Sequence, residues 1–405
     1  MPDGVVLHSS EFGVLLDNAG QNISVQKFTW ITQAGLKLSV LNLDAAIIEL
    51  CAPDRNARLS ENILLGVDSL HEYLQLDPAI ACAARFEPPL SRVAKQHSQD
   101  EPIPVDQARV WLPFVYGTRL QLSLEQCRNN KSRLIIATIT ITVEPSNVVR
   151  IQYRTTCASG GLYRLAHRFL VNLAGRNAGP GGTYDHVVQL NSDSYVDRNC
   201  FLRSASENLA DMRIAQHLGL LLYNARQCGN MEAALGGIYA MNNASHEGFA
   251  IRLIHTDSGR AMELYCDYPW MHFSTLSELP PGQDELVPFY PRQGLHRLSL
   301  VFDINRFVLN IVDALEKGSS KDPKDQSEDN LLLNGDQNPE LQGHFMRNAG
   351  LLIHPLGCPF KIKRAPRVSP SLAFIGHTTL KFGFCKELSK SQPPAIREIN
   401  CIESE

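Results

Sequence analysis

The chain is predicted to be all-β, one large antiparallel sandwich rather than a string of small domains. Three observations lead there. Segments in which apolar and polar residues alternate recur along most of the sequence. They are joined by short stretches rich in Gly, Pro, Asn and Ser. Helical periodicity is scarce, so the βαβ alternation of a parallel sheet is missing. Sandwiches of this kind run to about 200 residues and beyond as one domain, and the 405 residues are not divided further.

The first strong strand signal is 134–143, where Ile139, Ile141 and Val143 share one face and Thr138, Thr140 and Thr142 the other. After the turn Glu144-Pro145-Ser146-Asn147, Val149, Ile151 and Tyr153 alternate with Arg150, Gln152 and Arg154, which makes a β-hairpin. Gly179-Pro180-Gly181-Gly182 reads as a loop. Only 205–226 shows helical periodicity, without a full amphipathic face. A second hairpin joins 249–255 to 260–265 through Thr256-Asp257-Ser258-Gly259. Beyond the loop Pro280-Pro281-Gly282, a third pair is expected at 297–302 and 306–312, and a last strand at 378–384. The stretch 316–343 is polar, charged and poor in aromatics, so it buries too little surface to offset its ordering entropy. It is expected to be a disordered insertion. The predicted organisation is therefore an N-terminal extension at 1–24, a sandwich domain over 25–387 and a C-terminal tail at 388–405.

Composition removes several classes of function. Lys plus Arg number 38 against 42 Asp plus Glu, a balance that argues against a nucleic-acid-coating protein. No apolar run approaches the roughly 18 residues of a membrane helix, and no secretory leader is expected. The ten cysteines stand singly with no Cys-x-x-Cys pair, against a zinc ribbon, a redox centre or a disulfide scaffold. Reduced, buried thiols in a cytoplasmic protein are expected, which makes the sequons at Asn22 and Asn243 chance matches. His-Glu-x-x-His, Gly-x-Ser-x-Gly and Walker patterns are missing, so neither metal nor cofactor is expected.

Four stretches then occur in a recognisable order. The first is Leu36-Lys-Leu-Ser-Val-Leu-Asn-Leu-Asp-Ala-Ala-Ile-Ile-Glu-Leu-Cys-Ala-Pro-Asp-Arg-Asn56, leading to Leu65-Gly-Val-Asp-Ser-Leu-His-Glu-Tyr-Leu74. The second is His167-Arg-Phe-Leu-Val-Asn-Leu-Ala-Gly175, with Asp185-His186 and Asp193-Ser-Tyr-Val-Asp197 after it. The third is Ser258-Gly-Arg-Ala-Met-Glu-Leu-Tyr265, and the fourth is Gly376-His-Thr-Thr-Leu-Lys-Phe382. Together, over roughly residues 25–387, they resemble the aldose 1-epimerase (galactose mutarotase) family. The resemblance implies a galactose mutarotase-like β-supersandwich with a sugar cleft on one sheet. It also implies a hexose such as galactose or glucose as partner, and no cofactor.

Interconverting anomers needs a base at the C1 hydroxyl and an acid at the ring oxygen. The family supplies a Glu, two His, an Asp and an Arg. His167 is the counterpart of the second His and the candidate general acid. The family pattern Asn-His-x-Tyr-Phe-Asn-Leu-Ala-Gly, counted strictly from Asn172, puts Arg168 there instead. A bulge would restore His167 to the cleft; otherwise His167 is an edge or core histidine with a backbone partner. The first His has no counterpart, since His97 lies in a polar loop, and the Arg survives as Arg85 or Arg92. No acid stands about twenty residues before Ser258. For the base, the pattern Gly-x-x-Leu-Glu-x-Gln falls on 294–300, with Leu298 where Glu belongs. Tyr239 and His296 are candidates for stacking and hydrogen bonding to the sugar. Two functions follow: an aldose 1-epimerase-like protein with impaired catalysis, or a non-catalytic sugar-binding or interaction module on the same fold.

Overall fold

The computed structural model describes residues 4–16, 20–56, 58, 62–76, 81–87, 110–128, 133–157, 163–196, 202–207, 211–227, 236–242, 247–276, 349–357 and 373–385. The chain begins with a four-stranded meander, β1 (Val5–Leu16), β2 (Asn22–Thr32), β3 (Lys37–Leu41) and β4 (Ile47–Cys51). A short helix α1 (Leu70–Gln75) follows, closed at its start by a capping box between Ser69 and Glu72. Next come β5 (Ala84–Glu87) and a run of four long neighbours, β6 (Leu112–Tyr116), β7 (Arg119–Arg128), β8 (Arg133–Val143) and β9 (Val148–Cys157). Then β10 (Arg164–His167) and β11 (Phe169–Val171) lead to α2 (Gly179–Tyr184), β12 (His186–Leu190), β13 (Ser194–Val196), β14 (Leu202–Ser204), β15 (Gln216–His217) and α3 (Leu218–Gln227). The rest is β16 (Gly236–Ala240), β17 (Gly248–His255), β18 (Arg260–Cys266), β19 (Trp270–Ser274), β20 (Leu351–Leu356) and β21 (Phe374–Phe384).

Two large antiparallel sheets dominate. One runs β15-β12-β17-β18-β21-β9-β8-β7-β6, the other β11-β20-β19-β16-β13-β14, and β5 pairs separately with β10. The alternation read in the sequence is the cause of the first sheet. In β8 and β9, Ile139, Ile141, Val149, Ile151 and Tyr153 are buried while Arg150, Gln152 and Arg154 are exposed. Inward-facing residues from the large sheets and from the N-terminal meander form one continuous core, which holds Trp30, Ile139, Tyr153, Phe169, Met271, Phe273 and Ile353. Each fully buried large side chain of this sort contributes about 1.5–3 kcal/mol. Trp30 also ties the meander to the nine-stranded sheet, since its indole N–H donates to the Thr118 carbonyl at 2.7 Å. The turn between β8 and β9 places Asn147 at φ +60°, a conformation Asn tolerates better than most residues.

Several expectations change. The boundary at residue 25 falls inside β2, because β1 pairs with β2 along its whole length, from Val5–Thr32 to Leu16–Asn22. Residues 5–16 are therefore part of a sheet rather than an extension. Gly179–Gly182 is the start of α2, a six-residue helix with Pro at its first turn, where the missing N–H costs nothing. The partly helical stretch 205–226 splits into a single 3-10 turn at Ala205–Glu207, the two-residue β15 and α3. The expected strands at 297–302 and 306–312, the insertion at 316–343 and the tail at 388–405 lie outside the described residues. Among the described residues no helix is long and apolar enough to cross a membrane. The described cysteines 51, 82, 157, 266 and 385 are all buried.

Candidate functional site

The strand that carries the sequence-selected His167 changes partner at residue 168. Its first half pairs with β5, with Ala166 opposite Arg85 and His167 opposite Ala84. Its second half pairs with β20, with Phe169 opposite Ile353. Side chains alternate between faces, so His167 and Phe169 point one way and Arg168 the other. The His167 ring packs 6.1 Å from the Phe169 ring and 5.6 Å from that of Tyr153, inside the main core.

Both nitrogens of His167 are engaged there. Nδ1 lies 2.9 Å from the Tyr153 hydroxyl, and Nε2 lies 2.7 Å from the Ala45 carbonyl. The carbonyl can only accept, so Nε2 carries the proton and Nδ1 accepts from Tyr153. Burial lowers the His167 pKa from 6.5 to about 4. Such an imidazole is neutral at physiological pH and both its ring nitrogens are already used within the fold. The geometry matches the core-histidine alternative, with the backbone partner supplied by Ala45.

Arg168 faces the other side of its sheet, and there a polar row appears. Continuing the β11–β20 register by one residue sets Arg168 opposite His354. His354 stands directly opposite His272 in the next strand pair, and His272 opposite Ile238 in the one after. Arg168, His354 and His272 therefore line up across three neighbouring strands on one face. His354 is 3 % exposed, whereas His272 is half-buried. Neither ring nitrogen of His354 has a hydrogen-bond partner among the described residues, nor has Nδ1 of His272. Burial, then the Arg168 charge, pushes His272 down to about 3. The same two causes, with His272, Arg85 and His167 adding to them, hold His354 well below its usual value. Leaving such buried groups without partners costs about 1–3 kcal/mol each, and unsatisfied groups of this kind in a folded protein call for a reason.

Two further side chains border the row. Arg85 shares the face of β5 that lies opposite Ala166, two residues from Arg168, and its buried Nε has no hydrogen-bond partner among the described residues. Trp270, half-buried, precedes His272 by two residues on the same face and packs with Val196, Ile238 and Leu356. The carboxylate on this face of β5, Glu87, accepts the Gly357 N–H at 2.8 Å. The row thus offers a guanidinium, two neutral imidazoles that can each donate and accept, and an indole beside them. That set can bind and orient a polar ring. Among the described residues no group of three His, Cys, Asp or Glu could hold a metal ion.

The other sequence candidates lie elsewhere. Tyr239 sits opposite Met271 and Tyr195 on the reverse face of β16, within the main core, with its ring 6.4 Å from that of Tyr195. Glu263, the carboxylate within the Ser258–Tyr265 motif, is buried in β18, where it receives the Arg252 guanidinium at 2.6 Å and the Tyr265 hydroxyl at 2.7 Å. His296, Arg92, His97 and Leu298 lie outside the described residues. Within those residues a second stretch shares with the base pattern Gly-x-x-Leu-Glu-x-Gln its glycine and an aliphatic residue at the Leu place. It is Gly350-Leu351-Leu352-Ile353-His354-Pro355-Leu356, with His354 at the Glu place. Anchoring the pattern on its glycine and aliphatic positions, with any residue allowed at the base, would have found it.

The surviving motif residues hold the frame. The Asn172 amide donates to the Ala349 carbonyl at 2.9 Å and its oxygen accepts from the Ala174 N–H at 3.1 Å. Arg260, from the Ser-Gly-Arg turn, donates to the carbonyls of Leu173 at 2.9 Å and Ala52 at 3.2 Å. His186 accepts the Leu173 N–H at 3.0 Å. The His377 ring and its backbone N–H both reach Asp267 at 2.8 Å.

No protein-family model matches the chain. It is 23% identical over 295 residues to the galactose mutarotase of Sus scrofa, covering 66% of this chain and 81% of that protein. The galactose mutarotase of Rattus norvegicus is 23% identical over 290 residues, 65% of this chain and 80% of the relative. Among solved structures, the galactose 1-epimerase of Lactobacillus acidophilus superposes with a TM-score of 0.59 at 12% identity, covering 94% of this chain and 99% of that one. An aldose epimerase homologue from C. elegans gives 0.55 at 14% identity, over 87% and 97%. The fold is therefore the galactose mutarotase-like β-sandwich expected from the sequence.

Proposed function

Since the chain is a divergent member of the aldose 1-epimerase family, we propose that it binds a hexose ring on the face carrying Arg168, His354 and His272, and that anomer interconversion there is impaired. The observation that carries this reading is the occupancy of the two proton-transfer places. Arg168 stands four residues before Asn172, where the family has its acid His, and His354 stands four residues after Gly350, the spacing of the base Glu from the glycine of its pattern. A guanidinium holds its proton throughout the physiological range. His354 is neutral but buried beside that cation, so taking up a proton is disfavoured. Ring opening needs both transfers in one step, and general acid–base help is commonly worth about 10²–10⁴ in rate. Binding needs less: donors, acceptors and an aromatic wall, all of which the row and Trp270 supply.

Polarimetry on the purified protein with freshly dissolved α-D-galactose and α-D-glucose tests this. The expected rate is close to the spontaneous one, with His167→Ala leaving it unchanged. Robust turnover that collapses in His167→Ala would disprove the assignment. A second reading, an interaction module on the same fold, is favoured by β6. This strand ends the order of the nine-stranded sheet and exposes Leu112, Phe114, Val115 and Tyr116, an apolar edge of the kind that pairs with other chains. If no hexose raises the melting temperature while Phe114→Lys abolishes self-association or capture of a partner, that reading stands instead.

A further inference from the structure

We propose that the outer face of the nine-stranded sheet carries a second binding site, separate from the Arg168 row, and that it takes a short neutral oligosaccharide lying across the strands. The alternation that buries Ile139, Ile141, Val149 and Ile151 turns the residues between them toward solvent, and the register lines them up. Phe114 stands opposite Gln121, Gln121 opposite Thr140, Thr140 opposite Gln152, and Gln152 opposite His377. Two residues along each strand, Tyr116, Arg119, Thr142, Arg150 and Thr379 make a second row beside the first. A cleft of about 230 Å³ is lined by both rows and by Glu247.

The polar groups of this cleft are tied in place. Asp267 accepts both the His377 ring N–H and its backbone N–H, each at 2.8 Å. With Nδ1 donating there, Nε2 accepts from the Gln152 amide at 3.1 Å, which leaves the amide oxygen and its second N–H to a ligand. Glu144 holds Nε of Arg150 at 2.6 Å, and the Thr379 hydroxyl donates to Glu247. Groups already ordered lose little freedom on binding. The charges then choose the ligand. The two guanidinium groups of the cleft, Arg119 and Arg150, are matched by two carboxylates, Glu247 and the Glu144 that pairs with Arg150. No surplus positive charge is left to hold a nucleic acid strand or another polyanion. The rest of the lining is hydroxyl, amide and imidazole, which pair with the mixed donors and acceptors of a sugar. Phe114 and Tyr116, 64% and 76% exposed at the β6 end of the rows, offer flat apolar faces to pyranose rings. Neighbouring strands lie about 4.8 Å apart, so the order β6-β7-β8-β9-β21 spans about 19 Å, the reach of a short sugar chain rather than of one ring.

Calorimetric titration of the full-length protein tests this with maltotetraose, cellotetraose, mannotetraose and galactotetraose, each against its monosaccharide, and with a short oligothymidylate. The expected result is that at least one tetrasaccharide binds at least tenfold more tightly than its monosaccharide. Tyr116→Ala and Gln152→Ala, both at exposed positions where the fold tolerates them, should each weaken that binding at least fivefold. His354→Ala, on the other sheet, should leave it unchanged. Tetrasaccharides binding no more tightly than monosaccharides would overturn the proposal and leave the hexose reading of the Arg168 row intact. Tetrasaccharide binding that survives Tyr116→Ala and Gln152→Ala but falls in His354→Ala would overturn it too, since the ligand then occupies that row. Oligothymidylate binding in preference to every sugar would replace it with a nucleic-acid face. Self-association that is lost in Tyr116→Ala, with no sugar bound, would make the face a contact between copies of the chain.

Discussion

The Tyr153 hydroxyl caps Nδ1 of His167 at 2.9 Å and also receives the His167 backbone N–H at 3.2 Å, so the two residues lock each other in the core. Removing the imidazole takes the acceptor from the Tyr153 hydroxyl proton and the donor from the Ala45 carbonyl, and leaves a void beside them. His167→Ala is expected to destabilise the fold by about 2–4 kcal/mol, measured by urea denaturation, without a specific effect on ligand affinity once folded. A variant of unchanged stability with lost ligand binding would reassign His167 to the site.

The same residue predicts how stability responds to acid. Its folded pKa is about 4, below the ordinary 6.5 that it regains on unfolding. The unfolded state therefore binds more protons between those values. The stabilisation is fully present above about pH 6.5 and is lost progressively as pH falls toward 4, by about 1.4 kcal/mol per unit for each such histidine. His186, held by the Gly182 carbonyl at 2.9 Å and lowered by burial to about 3, adds a loss of the same sign. Urea denaturation at pH 7.5, 6 and 5 should show stability falling at each step, more shallowly in His167→Gln. A flat profile would show that neither ring is buried in its neutral form.

Glu263 and Arg252 form a buried pair, with Arg252 also donating to Gln189 at 3.1 Å. Glu263→Ala leaves the guanidinium buried without its counter-charge and is expected to cost about 3–5 kcal/mol. The double replacement of Arg252 and Glu263 by hydrophobic residues should recover much of that loss. If Glu263→Ala instead folds normally and loses turnover, the carboxylate belongs to catalysis.

Gly236 opens β16 at φ +113°, and a Cβ built there would lie 2.1 Å from the Phe273 carbonyl oxygen. Gly117, at φ +59°, has nothing within 4 Å of such an atom. Gly236→Ala should therefore unfold the protein or cost well over the 1–2 kcal/mol of the left-handed backbone alone, while Gly117→Ala should cost about that amount. Melting temperatures of the two variants give the comparison directly.

The frame was readable because its signals are local. The β8–β9 hairpin follows from alternation over twenty residues, and Asn172 and Arg260 keep their neighbours because backbone carbonyls must be met. The polar row was not readable, because it is a product of register between segments far apart in sequence. Arg168, His354 and His272 become neighbours only when β11, β20 and β19 pair. β20 is buried on both faces, so it lacks the alternation that would have marked His354 as facing anything. Tyr239 was selected for its aromatic chemistry, and one step along β16 decides whether a side chain meets the row or the core.

β21 lies between β18 and β9, with seven residue pairs on one side and eight on the other. As the chain leaves the ribosome, the strands on either side of that gap are finished about a hundred residues or more before the one that joins them. Each half-sheet therefore waits with an open edge, and the nine-stranded sheet closes only when Phe374–Phe384 has emerged and threads between them. Assembly of this kind is slow and depends on contacts distant in sequence. It makes nascent chains stalled before residue 374 the species most exposed to aggregation, and it makes β21 the element whose arrival commits the whole sandwich.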